Sequence, residues 1–183
     1  EAAKLIKAQR NDVEFQLLGA IDSGNPSGVP QSVVKDAVSN GFINYLGTTS
    51  DVLPIIREAD CMVLPSYREG ISRVLMEAAS MEKPIIATNV TGCREVINDG
   101  ETGFLCKVKS PVDLAHKMAK IINMTEKEKV VMGQKGRVKV IEEMDLEKII
   151  DIYDYKIAAV LGEEEGITVD LQELISLRKT KKI

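Results

Sequence analysis

Tryptophan is absent from the 183 residues, aromatics make up 4%, histidine occurs once and cysteine three times. So few aromatics argue against a surface that stacks nucleic-acid bases. With one histidine, a histidine-rich metal site or a serine–histidine triad has little to stand on. That residue, His116, sits among Asp113, Leu114, Lys117 and Met118 and reads as a helix surface residue. Cys61, Cys93 and Cys106 are odd in number and show no C-x-x-C pair, which fits reduced core thiols better than disulfides or zinc. No run approaches the roughly 20 apolar residues of a membrane span, and no secretory leader is visible at the N-terminus. A net charge of −4 gives no global attraction to nucleic acid or an anionic membrane. The expectation is a cytoplasmic chain with no nucleic-acid partner and no membrane span.

What is present is ordinary for a globular chain: 44% hydrophobic and 28% charged residues, over a length sufficient for one α/β domain. Residues 1–10 read as an amphipathic helix and 13–18 as a strand closing at Gly19. A loop rich in Gly, Pro, Ser and Asn covers 22–30, followed by a helix over Gln31–Ser39. A strand over 42–46 ends at Gly47, and Thr49, Ser50 and Asp51 open a helix reaching Ala59. Strand 61–64, a helix through Glu77, strand 84–87, a short helix over 92–97 and strand 103–108 continue the alternation, with Asn98-Asp99-Gly100 as a turn. Short apolar strands alternating with helices imply crossover units and a Rossmann-like parallel sheet flanked by helices, an α/β fold. Beyond Pro111, Leu114, Met118, Ile121 and Ile122 keep the spacing of a buried helix face. Helices over Glu126–Glu143 and around 149–153 complete a helical C-terminal extension. The domain is read as residues 1–160, and 161–183 as a linker followed by a helical or flexible tail with a basic end.

The most informative stretch is 64–79, Leu-Pro-Ser-Tyr-Arg-Glu-Gly-Ile-Ser-Arg-Val-Leu-Met-Glu-Ala-Ala. Glu69 and Glu77 stand eight positions apart across a strand-to-helix junction. On a continuous helix, eight residues rise about 12 Å and bring the second carboxylate within a quarter turn of the first. A helix N-terminus between them aims unpaired N–H groups and a positive dipole at whatever lies there. That layout suits a ligand with a diphosphate in the middle and hydroxyls at both ends, as in a nucleotide-sugar. Taken singly, each residue also has a plainer reading. Glu77 could be an exposed helix residue, Glu69 a residue favoured by the dipole, and Arg68 and Arg73 surface arginines. Glu95 could cap a helix or lie near a sugar.

The run Ala59-Asp60-Cys61-Met62-Val63-Leu64-Pro65-Ser66, with Glu69-Gly70 and Glu77-Ala78 after it, resembles the C-terminal domain of retaining glycosyltransferases of the GT-B fold, specifically glycosyltransferase family 4. The likeness continues through Lys83-Pro84-Ile85-Ile86-Ala87-Thr88, Gly92-Cys93-Arg94-Glu95-Val96-Ile97 and the segment 98–105, and covers 1–160. It implies one half of a GT-B fold, holding a nucleotide-diphosphate-sugar donor, while an N-terminal domain holds the acceptor. It implies Glu69 as the catalytic-centre residue facing hydroxyls of the donor sugar, and Glu77 as acceptor for the ribose hydroxyls. The N–H groups of Ser72, Arg73 and Val74 would meet the diphosphate. Gly70 would let the backbone come close, with Ile71 beside the sugar. Ile43 and Tyr45 are the implied contacts of the base. The resemblance implies no metal and no cofactor beyond the donor, because the helix N-terminus and a basic pair act in place of a cation.

The sequence also departs from that pattern. It opens inside the first helix, ahead of which the family carries a central strand and a loop with an arginine and a lysine. The sheet is therefore expected to be completed by further polypeptide or by exchange between chains in an oligomer. Asn89 stands where aspartate is common, and Ile71-Ser72 replace an aromatic–small pair beside the sugar. The implied function is transfer of a uridine- or guanosine-linked sugar to a glycan, lipid-linked or small-molecule acceptor, as in polysaccharide biosynthesis, with peripheral membrane contact open to the full-length protein. The rivals are a sugar-nucleotide epimerase of similar fold and a non-catalytic α/β binding module. The first wants acid/base residues that a chain without a histidine near the sugar does not offer. The second, as a receiver domain, wants an acidic pair after the first strand that is not found.

Overall fold

Strands and helices alternate as far as β5 in the computed structural model, which describes residues 1–21 and 28–165. In chain order they are α1 (Ala2–Lys7), β1 (Gln16–Leu18), α2 (Gln31–Ser39), β2 (Asn44–Gly47), α3 (Leu53–Glu58), β3 (Met62–Leu64), α4 (Arg73–Ser80), β4 (Ile85–Thr88), α5 (Thr91–Val96) and β5 (Gly103–Cys106). Three longer helices follow: α6 (Pro111–Asn123), α7 (Glu126–Glu143) and α8 (Leu146–Glu165). Most of the loop predicted at 22–30 lies outside the described residues.

Every strand pairing is parallel. β4 is buried at all four residues, as expected of a strand covered on both faces. The strands do not form one ladder, however. β1 pairs with β2, and β3, β4 and β5 pair in that order as a separate group. The break falls in the middle of the five strands, where the resemblance expects a central strand. Both groups share a core all the same. Phe15, beside β1, and Cys61 and Val63, at β3, pack against one cluster that contains Ala2 and Ile6 of α1, Ile86 of β4, and Ala115, Met118 and Ile121 of α6.

Several predicted boundaries shorten for local reasons. The strand read over 13–18 begins at Gln16, and the one read over 103–108 ends at Cys106, its last register partner of Thr88. The helix read from Thr49 begins at Leu53, because Asp51 accepts a hydrogen bond from the Leu53 N–H at 3.0 Å and Pro54 sits in the first turn. The predicted Asn98–Gly100 turn forms, with Gly100 at φ 85°. His116 is exposed on α6, as its helical setting predicted.

The start of α6 shows the capping chemistry most fully. Ser110 accepts from the Asp113 N–H at 3.3 Å, Pro111 fills the first turn, and Asp113 accepts from the Lys107 N–H at 2.7 Å. Ser110→Ala is expected to lower stability by about 1 kcal/mol. A urea titration should show this as a lower midpoint at unchanged slope.

Residues 1–140 form one compact unit and 141–183 a second, whose described part is mainly α8. Asp145 accepts from the N–H groups of Glu147 at 2.8 Å and Lys148 at 3.4 Å, which sets where α8 begins. α8 takes in 161–165, the first part of the segment read from sequence as a linker. Glutamates there are compatible with a helix. Residues 166–183 lie outside the described residues. No described helix is long and apolar enough to cross a membrane.

Candidate functional site

The junction between β3 and α4 brings most of the predicted site residues together. The chain leaves β3 at Leu64 and runs as a loop over 65–72, with Glu69 half-buried and Gly70 and Ile71 exposed. It turns into α4 at Ser72, an extended residue with φ −80° and ψ 111° and only 5% exposed. Arg73, Val74 and Glu77 lie on α4. Glu69 is therefore a loop carboxylate ahead of the helix, and Glu77 a carboxylate on its second turn.

The N-terminus of α4 has no side-chain cap. The first intrahelical bond runs from the Met76 N–H to the Ser72 carbonyl at 3.1 Å, so the N–H groups before it have no intrahelical partner. Exposed ends of this kind favour anions, and this one has a carboxylate on either side along the chain. Arg73 donates from Nε to Glu77 Oε1 at 2.9 Å, four residues along the helix. Arg73 is 89% exposed, and arginine ahead of glutamate is the weaker order for such a pair. The bond is worth a few tenths of a kcal/mol at most and is easily exchanged for a ligand's hydroxyls.

α4 is held at both ends. At its C-terminal end, Arg137 of α7 donates to the Ser80 carbonyl, and Gly133 of α7 lies flush against Glu82. At its N-terminal end the loop is anchored from β4 and α5, which sequence reasoning did not single out. Thr88, 2% exposed, donates from Oγ1 to the Ser66 carbonyl. Gly92, in the first turn of α5, stands directly against the Glu69–Gly70 backbone. Glycine inside a helix is unfavourable, and its presence there is the signal that could have marked this close approach.

The three cysteines are free. The Cys93 thiol is pushed up first by burial and then by the charge of Glu69. The Cys61 thiol is pushed up to about 12 by burial and by Asp60. Both are core thiols of low reactivity rather than nucleophiles.

Ile43 and Tyr45, the predicted base contacts, are half-buried next to and within β2. The Tyr45 hydroxyl donates to the Gly19 carbonyl at 2.8 Å and ties the ends of β1 and β2 together. Tyr45 thus belongs to the β1–β2 pair, with Ile43 just ahead of it, and not to the group that contains β3. Glu95 is exposed on α5, and Arg94 donates to Asn89 and Thr91.

Comparison with known proteins adds an independent line. The sequence model of the family described as "Glycosyl transferases group 1" matches residues 1–124. The chain is 30% identical over 122 residues to the N,N'-diacetylbacillosaminyl-diphospho-undecaprenol alpha-1,3-N-acetylgalactosaminyltransferase of Campylobacter jejuni, covering 67% of this chain and 30% of that protein. It is 27% identical over 166 residues to the capsular polysaccharide biosynthesis glycosyltransferase CapM of Staphylococcus aureus, covering 91% of this chain and 43% of that one. Its fold matches that of HepE from Anabaena, solved in complex with UDP, with a TM-score of 0.73 at 20% identity over 88% of this chain and 44% of that chain. The chain thus spans less than half the length of these relatives.

Proposed function

The chain belongs to the glycosyl transferases group 1 family, and on that premise we propose that its residues 1–160 form the nucleotide-diphosphate-sugar-binding half of a retaining glycosyltransferase. The observation that carries this reading is the uncapped N-terminus of α4, at the carboxyl end of β3, with Glu69 and Glu77 before and after it. In open α/β sheets, ligands bind outside the carboxyl ends of parallel strands.

In this reading the diphosphate sits on the N–H groups of Ser72, Arg73 and Val74, where the helix dipole favours its charge. As the sugar leaves, negative charge grows on that diphosphate, and fixed N–H donors stabilise it without rearranging. Glu77 exchanges Arg73 for the ribose hydroxyls, and the freed guanidinium stays beside the phosphates. Glu69 fixes the donor sugar through its hydroxyls, with Gly70 and Ile71 lining the approach. Orientation of the donor is then the main contribution of this half to the rate. Ile43 and Tyr45 flank the base. The donor is the substrate, and neither a metal nor another cofactor is part of the proposal. The acceptor, a glycan, a lipid-linked sugar or a small molecule, is held by an N-terminal domain, and the protein works in the cytoplasm. The names of the Campylobacter and Staphylococcus relatives favour glycan assembly as the setting.

Calorimetric titration with UDP, GDP and ADP tests this reading. The expected result is saturable binding of one diphosphate in preference to the others, and no sugar transfer by this chain alone. Transfer by the chain alone would contradict the division of labour between two domains. Equal indifference to all three diphosphates would remove the donor site.

A further inference from the structure

We infer that the β4–α5 corner, with Gly92 at its point of contact, is a positioning element for the donor site that fixes the Glu69–Gly70 loop. This rests on the reading of Glu69 and α4 given above. A Cβ on Gly92 would lie 1.6 Å from the Gly70 carbonyl oxygen, 2.3 Å from its carbonyl carbon and 2.7 Å from the Glu69 carbonyl oxygen. All three atoms are backbone, so no change of rotamer relieves the overlap. One of the two segments has to move by more than an ångström.

The loop is the segment that yields. α5 is anchored by Cys93 at 0% exposure and by Val96 and Ile97 at 1% and 2%, and moving it would open the core. The loop has little comparable packing: Tyr67 and Ile71 are 56% and 60% exposed, and Arg68 and Gly70 are exposed as well. What holds it is the corner itself. Thr88 donates to the Ser66 carbonyl at one end of the loop, and Gly92 backs the carbonyls of Glu69 and Gly70 in its middle. Cys93, next in sequence, is near enough to Glu69 for the carboxylate to raise its thiol. The loop runs on into the N-cap Ser72, so a displacement at Gly70 reaches both the Glu69 carboxylate and the first N–H groups of α4. Misplacing such groups by about 1 Å is enough for a large functional loss.

Gly133→Ala supplies a matched control. A Cβ there would lie 1.8 Å from the Glu82 carbonyl oxygen, again backbone, at the opposite end of α4. The full chain, its Gly92→Ala variant and its Gly133→Ala variant are compared by amide NMR and by titration with UDP. Gly92→Ala is expected to shift the amides of Gly70 and Ile71, whose peptides carry the two displaced carbonyls, and to weaken UDP binding about tenfold. Gly133→Ala is expected to lose stability while leaving the Gly70 and Ile71 amides in place. If Gly92→Ala does not fold, Thr88→Val releases the same loop at Ser66 without adding volume. It is expected to shift the amide of Tyr67, whose peptide carries the released Ser66 carbonyl, together with those of Gly70 and Ile71, and to weaken UDP about threefold. Unmoved Gly70 and Ile71 amides in Gly92→Ala or in Thr88→Val overturn the inference whatever the parent binds. A parent chain that ignores UDP, GDP and ADP alike overturns the donor reading instead, and the two failures are told apart by those amides.

Discussion

Glu77→Ala is expected to weaken binding of the preferred nucleoside diphosphate about 30- to 100-fold while leaving the fold intact. A hydrogen bond to a charged group is worth about 1.5–3 kcal/mol, and removing the carboxylate takes away the acceptor for the ribose hydroxyls. A loss of about 2–3 kcal/mol corresponds to that range at about 1.4 kcal/mol per decade. Among the described residues the Glu77 carboxylate pairs with Arg73, a residue 89% exposed, and loss of that pair changes stability little. Glu77→Gln keeps one carbonyl acceptor and most of the shape, and should fall between the parent and the alanine variant. Titration calorimetry on all three, with thermal unfolding alongside, checks both halves of the expectation. A lowered melting temperature together with parental affinity would make Glu77 a structural residue.

The second large effect is on stability. Leu75 points from α4 into the core at 0% exposure, two residues into the helix that carries the site. Leu75→Ala leaves a cavity and is expected to cost about 3 kcal/mol, within the usual range for such truncations. For a chain of this size that corresponds to a fall of roughly 6–12 °C in melting temperature. The loss should also reach the site, because Leu75 holds the first turn of α4 in place. UDP affinity should drop in the variant even under conditions where it remains folded. The urea midpoint and calorimetry under native conditions separate the two effects.

How much of this could be read in the sequence differs from element to element. β4 was plain, because Ile85, Ile86 and Ala87 form an unbroken apolar run and the strand is buried on both faces. α6 was equally plain from the spacing of Leu114, Met118, Ile121 and Ile122, since 13 residues give a helical period enough turns to repeat. β1 was less so: only three residues find a register partner, and nothing in Val13-Glu14-Phe15 says that pairing starts only at the Phe15 carbonyl, which accepts from the Asn44 N–H. The break between the two strand groups was invisible to periodicity, because pairing depends on which strands lie side by side. In the site, Glu69 and Glu77 were legible through their spacing and through the resemblance. Their bracing was not. Thr88 and Gly92 act through backbone contacts with residues more than twenty positions away, and a threonine or a glycine alone carries no sign of its partner.

The measurement that bears most directly on the account is an amide NMR titration of the parent chain with UDP, GDP and ADP. One of them is expected to shift the amides of Ser72, Arg73, Val74 and Glu77 together, saturably, and Glu77→Ala to suppress the response. Shifts confined to residues far from the β3–α4 junction, or an identical response in Glu77→Ala, would contradict the claim that the N-terminus of α4 holds the donor.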